Sequence, residues 1–412
     1  MPARTLSCLA TAITLAATLV VAAGPAHAAP PVACGDTVTA DVVLTADLTC
    51  PGDGLSIGAD GVTVDLNGHT ISGSATGTGI QAVEVDDLRV RDGVIRGFTI
   101  GVLLENVGDA ELHGLRLLDN GGGTGGARAR AGVFADRVTR LLIQGGRIVA
   151  HPGTPTAPAF AIRTEVANDL VIRGVDLTGR STLAINTEAP RVIGNTVRDG
   201  GLSLSESNGA VVRGNIFLRA GIWVSECAGV RILQNVLTGG RGIDIGIASD
   251  TVVRGNLVRN AQYGVITDVV TSGLRVEENT FTGNGYGVRA DVGSLSELDG
   301  LLVRGNRMVG NEQAGMFLEA EASTGAPARI LISGNQFVRN GHASTGTDSA
   351  GRRIDDGLHT NVPASPDVVV ARNLTLHNAD FGIEALPVGS VRDGGGNVST
   401  GDPSGCAGVA CR

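Results

Sequence analysis

Between residues 340 and 360 the chain reads NGHASTGTDSAGRRIDDGLHT, which sets Arg352, Arg353, Asp355, Asp356 and His359 within a few positions of one another. Guanidinium forks hold carboxylates, neighbouring carboxyls push one another's pKa upward, and an imidazole exchanges protons near neutral pH. In one place these groups make a set for acid–base work on an anionic substrate. A stretch this long between regular elements is either functional or simply solvated, and an Arg–Asp pair on a wet loop is the plain alternative. Elsewhere no Cys/His cluster has zinc spacing, and no glycine-rich loop opens a helix to cradle phosphate. His69 and His113 fall at corners, where they read as hydrogen-bonding groups rather than ligands.

The elements that must position this set repeat. RVIGNTV, AVVRGNIF, VRILQNVL, TVVRGNLV and LRVEENTF place asparagines at Asn195, Asn215, Asn235, Asn256 and Asn279, and the series continues at Asn306, Asn335, Asn373 and Asn397. A period of 20 to 30 residues marks a stack of supersecondary units, none of which buries its apolar face alone. A glycine followed by a short alternating strand (GIWVS, GIDIG, GVITD, GVRAD) completes each unit. Period-two alternation with dense Gly and Asn excludes stacked helices. About fourteen coils follow from the repeat count. Stacked asparagines at equivalent corners predict a hydrogen-bonded ladder along the axis. In the first half of the chain that corner carries His69, Val94, Leu115, Gly146 and Val175 instead.

Composition agrees. Gly numbers 62 of 412 residues and aromatics only 3%, so the interior is filled by Val, Ile, Leu and Ala. All 32 basic residues are arginine, which removes any lysine nucleophile, and the net charge of −9 with no basic tract argues against nucleic acid. Residues 1–28 have the charge, apolar run and Ala-His-Ala ending of a secretory signal, which makes the protein secreted, and no other segment could span a bilayer. Cys34 with Cys50, and Cys406 with Cys411, flank the two ends of the array and are expected to pair in an oxidising compartment; Cys227 is left as a buried thiol. The domain reading is a signal at 1–28, an N-terminal cap at 29–60, a solenoid at 61–398 and a C-terminal cap at 399–412, and a monomer is the expected state.

Coils such as VVRGNLVRNAQYGVIT resemble the right-handed parallel β-helix of the pectin-lyase-like superfamily, and more narrowly the secreted carbohydrate-binding and sugar-hydrolase repeats. The resemblance runs over about 36–400 and specifies the fold class, all-β; it leaves function open, because the scaffold hosts lyases, hydrolases, epimerases and binding modules. What it implies is an extracellular polysaccharide partner on the wet face of the Gly-Ile strand sheet. One outward column there carries Arg163, Asn186, Trp223, Asp244, Arg289, Phe317, His359 and Glu384; a second carries Glu105, Asp136, Glu165, Glu188, Asp268, Asp291 and Glu319. Within it Arg289, Arg352, Asp355, Asp356 and His359 are the candidate catalytic residues for an acidic glycan. Trp223, Asp244, Phe317 and Arg353 are the candidate sugar contacts, and Asp268, Asp291 and Glu319 the candidate ligands for a hard cation such as Ca²⁺. Insertions at 291–300 and 319–328 are placed to wall a groove. The polygalacturonase and alginate-epimerase signatures are missing, so a non-catalytic wall or surface module is the competing reading.

Overall fold

The computed structural model describes residues 31–123, 130–153, 159–179, 181–267, 270–292, 298–320 and 327–412. The segment read as a secretory signal lies outside them. Among the described residues there is no helix. Three long sheets of 16, 15 and 15 strands run the length of the molecule, with a short sheet of 4 strands beside them. The chain visits the three in rotation: Gly201–Ser205 lies in the first sheet, Val211–Arg213 in the second, Ile216–Leu218 in the third, and Gly221–Ser225 returns to the first. Every pairing between successive coils is parallel, as in Leu202↔Ile222 and Val212↔Ile232. This is a right-handed parallel β-helix, the hand that parallel crossovers take. Winding already begins at Thr37–Val38, inside the stretch read as a cap, which is why the coils number one more than expected.

Short strands suffice because each contributes an inward residue to a stack running the whole axis. Val192, Val212, Ile232, Val253, Val276 and Val303, all fully buried, form one such stack. Each aliphatic side chain so buried contributes on the order of 1.5–3 kcal/mol before entropy is subtracted. The Gly-Ile strands keep the register read from sequence over most of the first sheet, for example Ile243↔Val265 and Val288↔Met316. One coil differs. Ile185 stands opposite Thr164 and Leu204, not Ile162 and Leu202, and an irregularity between Glu165 and Ala167 accompanies the shift. A slip of two residues leaves every side chain on its face, so alternation alone could not detect it.

The asparagine corners form the expected ladder. From Asn195 to Asn397 each amide Nδ2 donates to the Oδ1 of the next asparagine, as from Asn215 to Asn235 at 2.9 Å and from Asn306 to Asn335 at 3.0 Å. The same Oδ1 accepts a backbone N–H, and the ladder ends where Val175 donates its N–H to Asn195. The left-handed backbone falls on the residue before each asparagine. Glycine supplies it at Gly214 and Gly255, while Gln234 and Glu278 adopt it at φ near 54° and 55°. A second ladder, unread in the sequence, runs through Asn284, Asn311, Asn340 and Asn378 and closes on Asp402.

Both ends are tied by disulfides, Cys34–Cys50 and Cys406–Cys411. Cys227 is a buried free thiol whose Sγ accepts the N–H of Ser207 at 3.2 Å.

Candidate functional site

The outer face of the first sheet has two parts of different character. Its central column runs Ser203, Trp223, Asp244, Ile266, Arg289, Phe317, His359, Glu384 in unbroken register. Arg163 belongs one step further on, opposite Ala184, whereas Asn186 stands opposite Glu165 in the second column. That is a correction forced by the slip at this coil.

Over the C-terminal part, residues 341–357 fold down on the sheet as a strap, pinned by a bridge between Thr347 and Arg353 and by Ile354, which packs with Ala314, Phe317 and Tyr286. The insertions expected to wall a groove lie largely outside the described residues, at 293–297 and 321–326. Beneath it Tyr263, Tyr286, Phe317 and His359 stack along the axis with ring centroids 6.0, 6.1 and 5.6 Å apart. The Arg289 guanidinium lies over Tyr286 and Phe317 and donates to Asp291 at 2.7 Å. Phe317, expected to meet a sugar, is buried under this cover.

His359 is fully buried and its ring is spoken for at both nitrogens. Nδ1 lies 2.6 Å from Asp356 and 2.8 Å from Glu384, and Nε2 lies 3.1 Å from Asp348. The Arg352 guanidinium reaches Asp348 at 2.7 Å and Glu384 at 3.4 Å. Burial alone would lower the imidazole pKa, but the carboxylates outweigh it and raise His359 to about 10. Burial pushes Asp356 up to about 7 despite its bond to His359. Burial would also raise Glu384 and Asp348, yet hydrogen bonds from His359 hold both below the usual range. Two cations thus face two firm carboxylates and a third that keeps its proton near neutrality, which makes a balanced buried cluster. Asp355, raised by burial, lies against Arg353 at 3.3 Å, and Arg353, the candidate sugar contact, also donates to the Ser344 carbonyl at 2.7 Å within the strap.

Of the candidate cation ligands, Asp291 and Glu319 stand opposite each other on paired strands, but Asp291 is held by Arg289 and Glu319 accepts from Ser349 and Asn361; Asp268 lies outside the described residues. The side chains that do converge are Asp356, His359 and Glu384, with Asp355, Asp356 and Asp380 beside them. In the first set His359 is itself the imidazolium and the Arg352 guanidinium lies against Glu384; in the second, Asp355 pairs with Arg353 and Asp380 accepts from Ser404, so neither arrangement fits a metal ion.

The other part of the face is open. Phe160, Arg163, Glu165, Asn186, Ser203 and Ser205 line a groove of about 420 Å³. Arg163 sits over the Phe160 ring and donates to Glu165 at 2.8 Å. Trp223 borders Ser203, with its indole packed where a side chain on Gly201 would be. Asp244, next along the column, accepts from Arg241 at 2.6 Å. Sequence reasoning missed Phe160, Ser203 and the tyrosines. Tyr263 and Tyr286 do share one signal, a place directly before the Gly of the repeat strand. Asp348 had none, because its partner is brought to it by the strap.

The fold is a right-handed parallel β-helix. A family model described as periplasmic copper-binding protein (NosD) matches residues 162–354, under half of the chain. No convergent set of three metal-ligating side chains lies within that segment among the described residues; both such sets begin beyond its end. Among solved structures, a mannuronic acid specific polysaccharide family 6 lyase from human gut microbiota is similar at 12% identity and TM-score 0.52, over 73% of this chain and 82% of its own. A periplasmic alginate epimerase aligns at 13% identity and TM-score 0.31, over 83% and 77%. A GH87 α-1,3-glucanase from Streptomyces thermodiastaticus aligns at 12% and 0.37, over 90% and 63%. No curated protein sequence matches the chain.

Proposed function

We propose that the protein is an exported binder of extracellular polysaccharide, which it docks in the groove between Phe160 and Trp223. The observation that carries binding over cleavage is the state of His359: fully buried, with both ring nitrogens engaged by carboxylates. The groove offers what glycan recognition uses, namely aromatic surface at Phe160 and an amide and hydroxyls at Asn186, Ser203 and Ser205, with Trp223 on the next strand beside Ser203. Arg163 and Glu165 offset each other, so the groove itself selects rings and hydroxyls more than charge. Export rests on the signal-like residues 1–28 and on the two disulfides. No helix among the described residues is long and apolar enough to cross a membrane, and a monomer is the proposed state.

The test incubates the protein with alginate, polygalacturonate and a neutral glucan, with and without Ca²⁺. Retained binding without unsaturated uronide or new reducing ends supports the reading, and turnover overturns it in favour of a lyase or hydrolase. Phe160→Ala and Trp223→Ala should each weaken binding by about tenfold, the scale of one lost aromatic contact.

A further inference from the structure

The outer face of the second sheet carries a pattern of its own. Seven successive strands there read LVIR, RVI, VVR, RIL, VVR, RVE and LVR, from Leu170–Arg173 to Leu302–Arg304. Each contributes one outward arginine, and the arginine changes column at almost every coil. Val171 stands opposite Arg191, Arg191 opposite Val211, Val211 opposite Arg231 and Arg231 opposite Val252; in the neighbouring column Arg173 faces Ile193, Ile193 faces Arg213 and Arg213 faces Leu233. The result is a checkerboard of exposed guanidinium and half-buried apolar side chains, Ile193 the most open of the latter.

In an acidic protein this stripe is a local inversion of sign. Glu277 is the single acid in those seven strands; it is nearly buried and paired with Arg275, while Arg254 is held by Glu278 at the corner. Arg173 and Arg213 donate only to the neutral amides of Gln144 and Gln234. Arg191, Arg231 and Arg304 have no carboxylate partner among the described residues. The face is also recessed at both ends: a groove of about 930 Å³ reaches Arg173 and Arg191 from earlier coils whose arginines, Arg89 and Arg140, are matched by Asp87, Asp109, Glu111 and Asp169, and one of about 280 Å³ holds Arg254, Arg275 and Arg304 with Glu277 and Glu278.

The geometry points to a second binding face, for an extended acidic polysaccharide lying along the solenoid axis with its carboxylates turned to alternate sides. Coils stack at ~4.8 Å, close to the length one pyranose adds to an extended glycan, and guanidinium forks pair with carboxylates two-pronged. The apolar squares of the checkerboard meet the C–H faces of the rings. The strands bear no aromatic side chain on which bases could stack, so a polyuronate fits better than single-stranded nucleic acid. This face is separate from the groove at Phe160 and does not depend on the reading given for it.

The test measures binding of the intact protein to a size-defined oligouronate, at low and moderate salt, against a neutral glucan of equal length. Arg191→Gln/Arg213→Gln/Arg231→Gln should lose on the order of 10- to 100-fold in affinity for the oligouronate, since an exposed ion pair is worth up to about fivefold. It should also lose much of the salt dependence. The arginine triple variant should lose the same factor in a Phe160→Ala background as in the native one, which separates failure here from failure of the groove. Arg116→Gln/Arg259→Gln/Arg307→Gln, on the third sheet, serves as the charge-matched control. Unchanged affinity in the triple variant, an equal loss in the control, or preferred binding to single-stranded DNA or anionic vesicles would each overturn the proposal.

Discussion

Replacing His359 by alanine removes the cation on which three buried carboxylates converge. In the native cluster protonated His359 and Arg352 face Asp348, Glu384 and Asp356, the last of which holds its proton up to about pH 7. Without the imidazolium one negative charge is left uncompensated in a site with almost no solvent. Two unit charges ~4 Å apart interact by about 4 kcal/mol at an effective dielectric of 20, and breaking a buried pair by deleting one partner costs about 3–5 kcal/mol. Coils of a solenoid couple mainly to their neighbours, so the cost should fall on the strap and the coils beneath it. Hydrogen exchange should show amides of residues 341–357 losing protection in His359→Ala, with the coils near Val64 and Val90 unaffected. His359→Gln, which restores one donor, should fall between the two. If the strap amides of His359→Ala exchange as slowly as those of the native protein, the cluster does not hold the strap and the reasoning is wrong.

The same cluster sets a pH window. His359 is raised, so its contribution is complete below its unfolded value near 6.5 and disappears as pH climbs through about 10. Glu384 and Asp348 are lowered, so their contribution holds above their unfolded values and is lost as acid protonates them; protease cuts within 342–353 should therefore increase at both extremes, and a flat profile would count against the assignment. Asn256→Leu orphans the Asn235 amide and the backbone N–H of Asn235 and should cost about 1–3 kcal/mol in urea unfolding, whereas an unchanged midpoint would remove the ladder from the account. Asp402→Ala should destabilise the last coils in the same way, because Asp402 accepts from Asn378, Thr375 and Ser399; equal exchange in the final coil would refute it.

The parallel stack, its register over most coils, the first ladder and both end disulfides were legible in the chain because each rests on a local rule that repeats: alternation, a corner residue, a nearby cysteine. The second ladder was legible too, had the five-residue interval from Asn279 to Asn284, Asn306 to Asn311, Asn335 to Asn340 and Asn373 to Asn378 been followed. Only the tertiary structure decided whether the Arg352–His359 stretch stands open or lies closed. A loop's path depends on where its side chains find partners, and Asp348, Asp356 and Glu384 come together around His359 only after three different parts of the chain have been brought to one sheet. The checkerboard of the second sheet has the same origin. Its arginines sit about twenty residues apart in sequence and become one surface because parallel winding sets each coil directly upon the last.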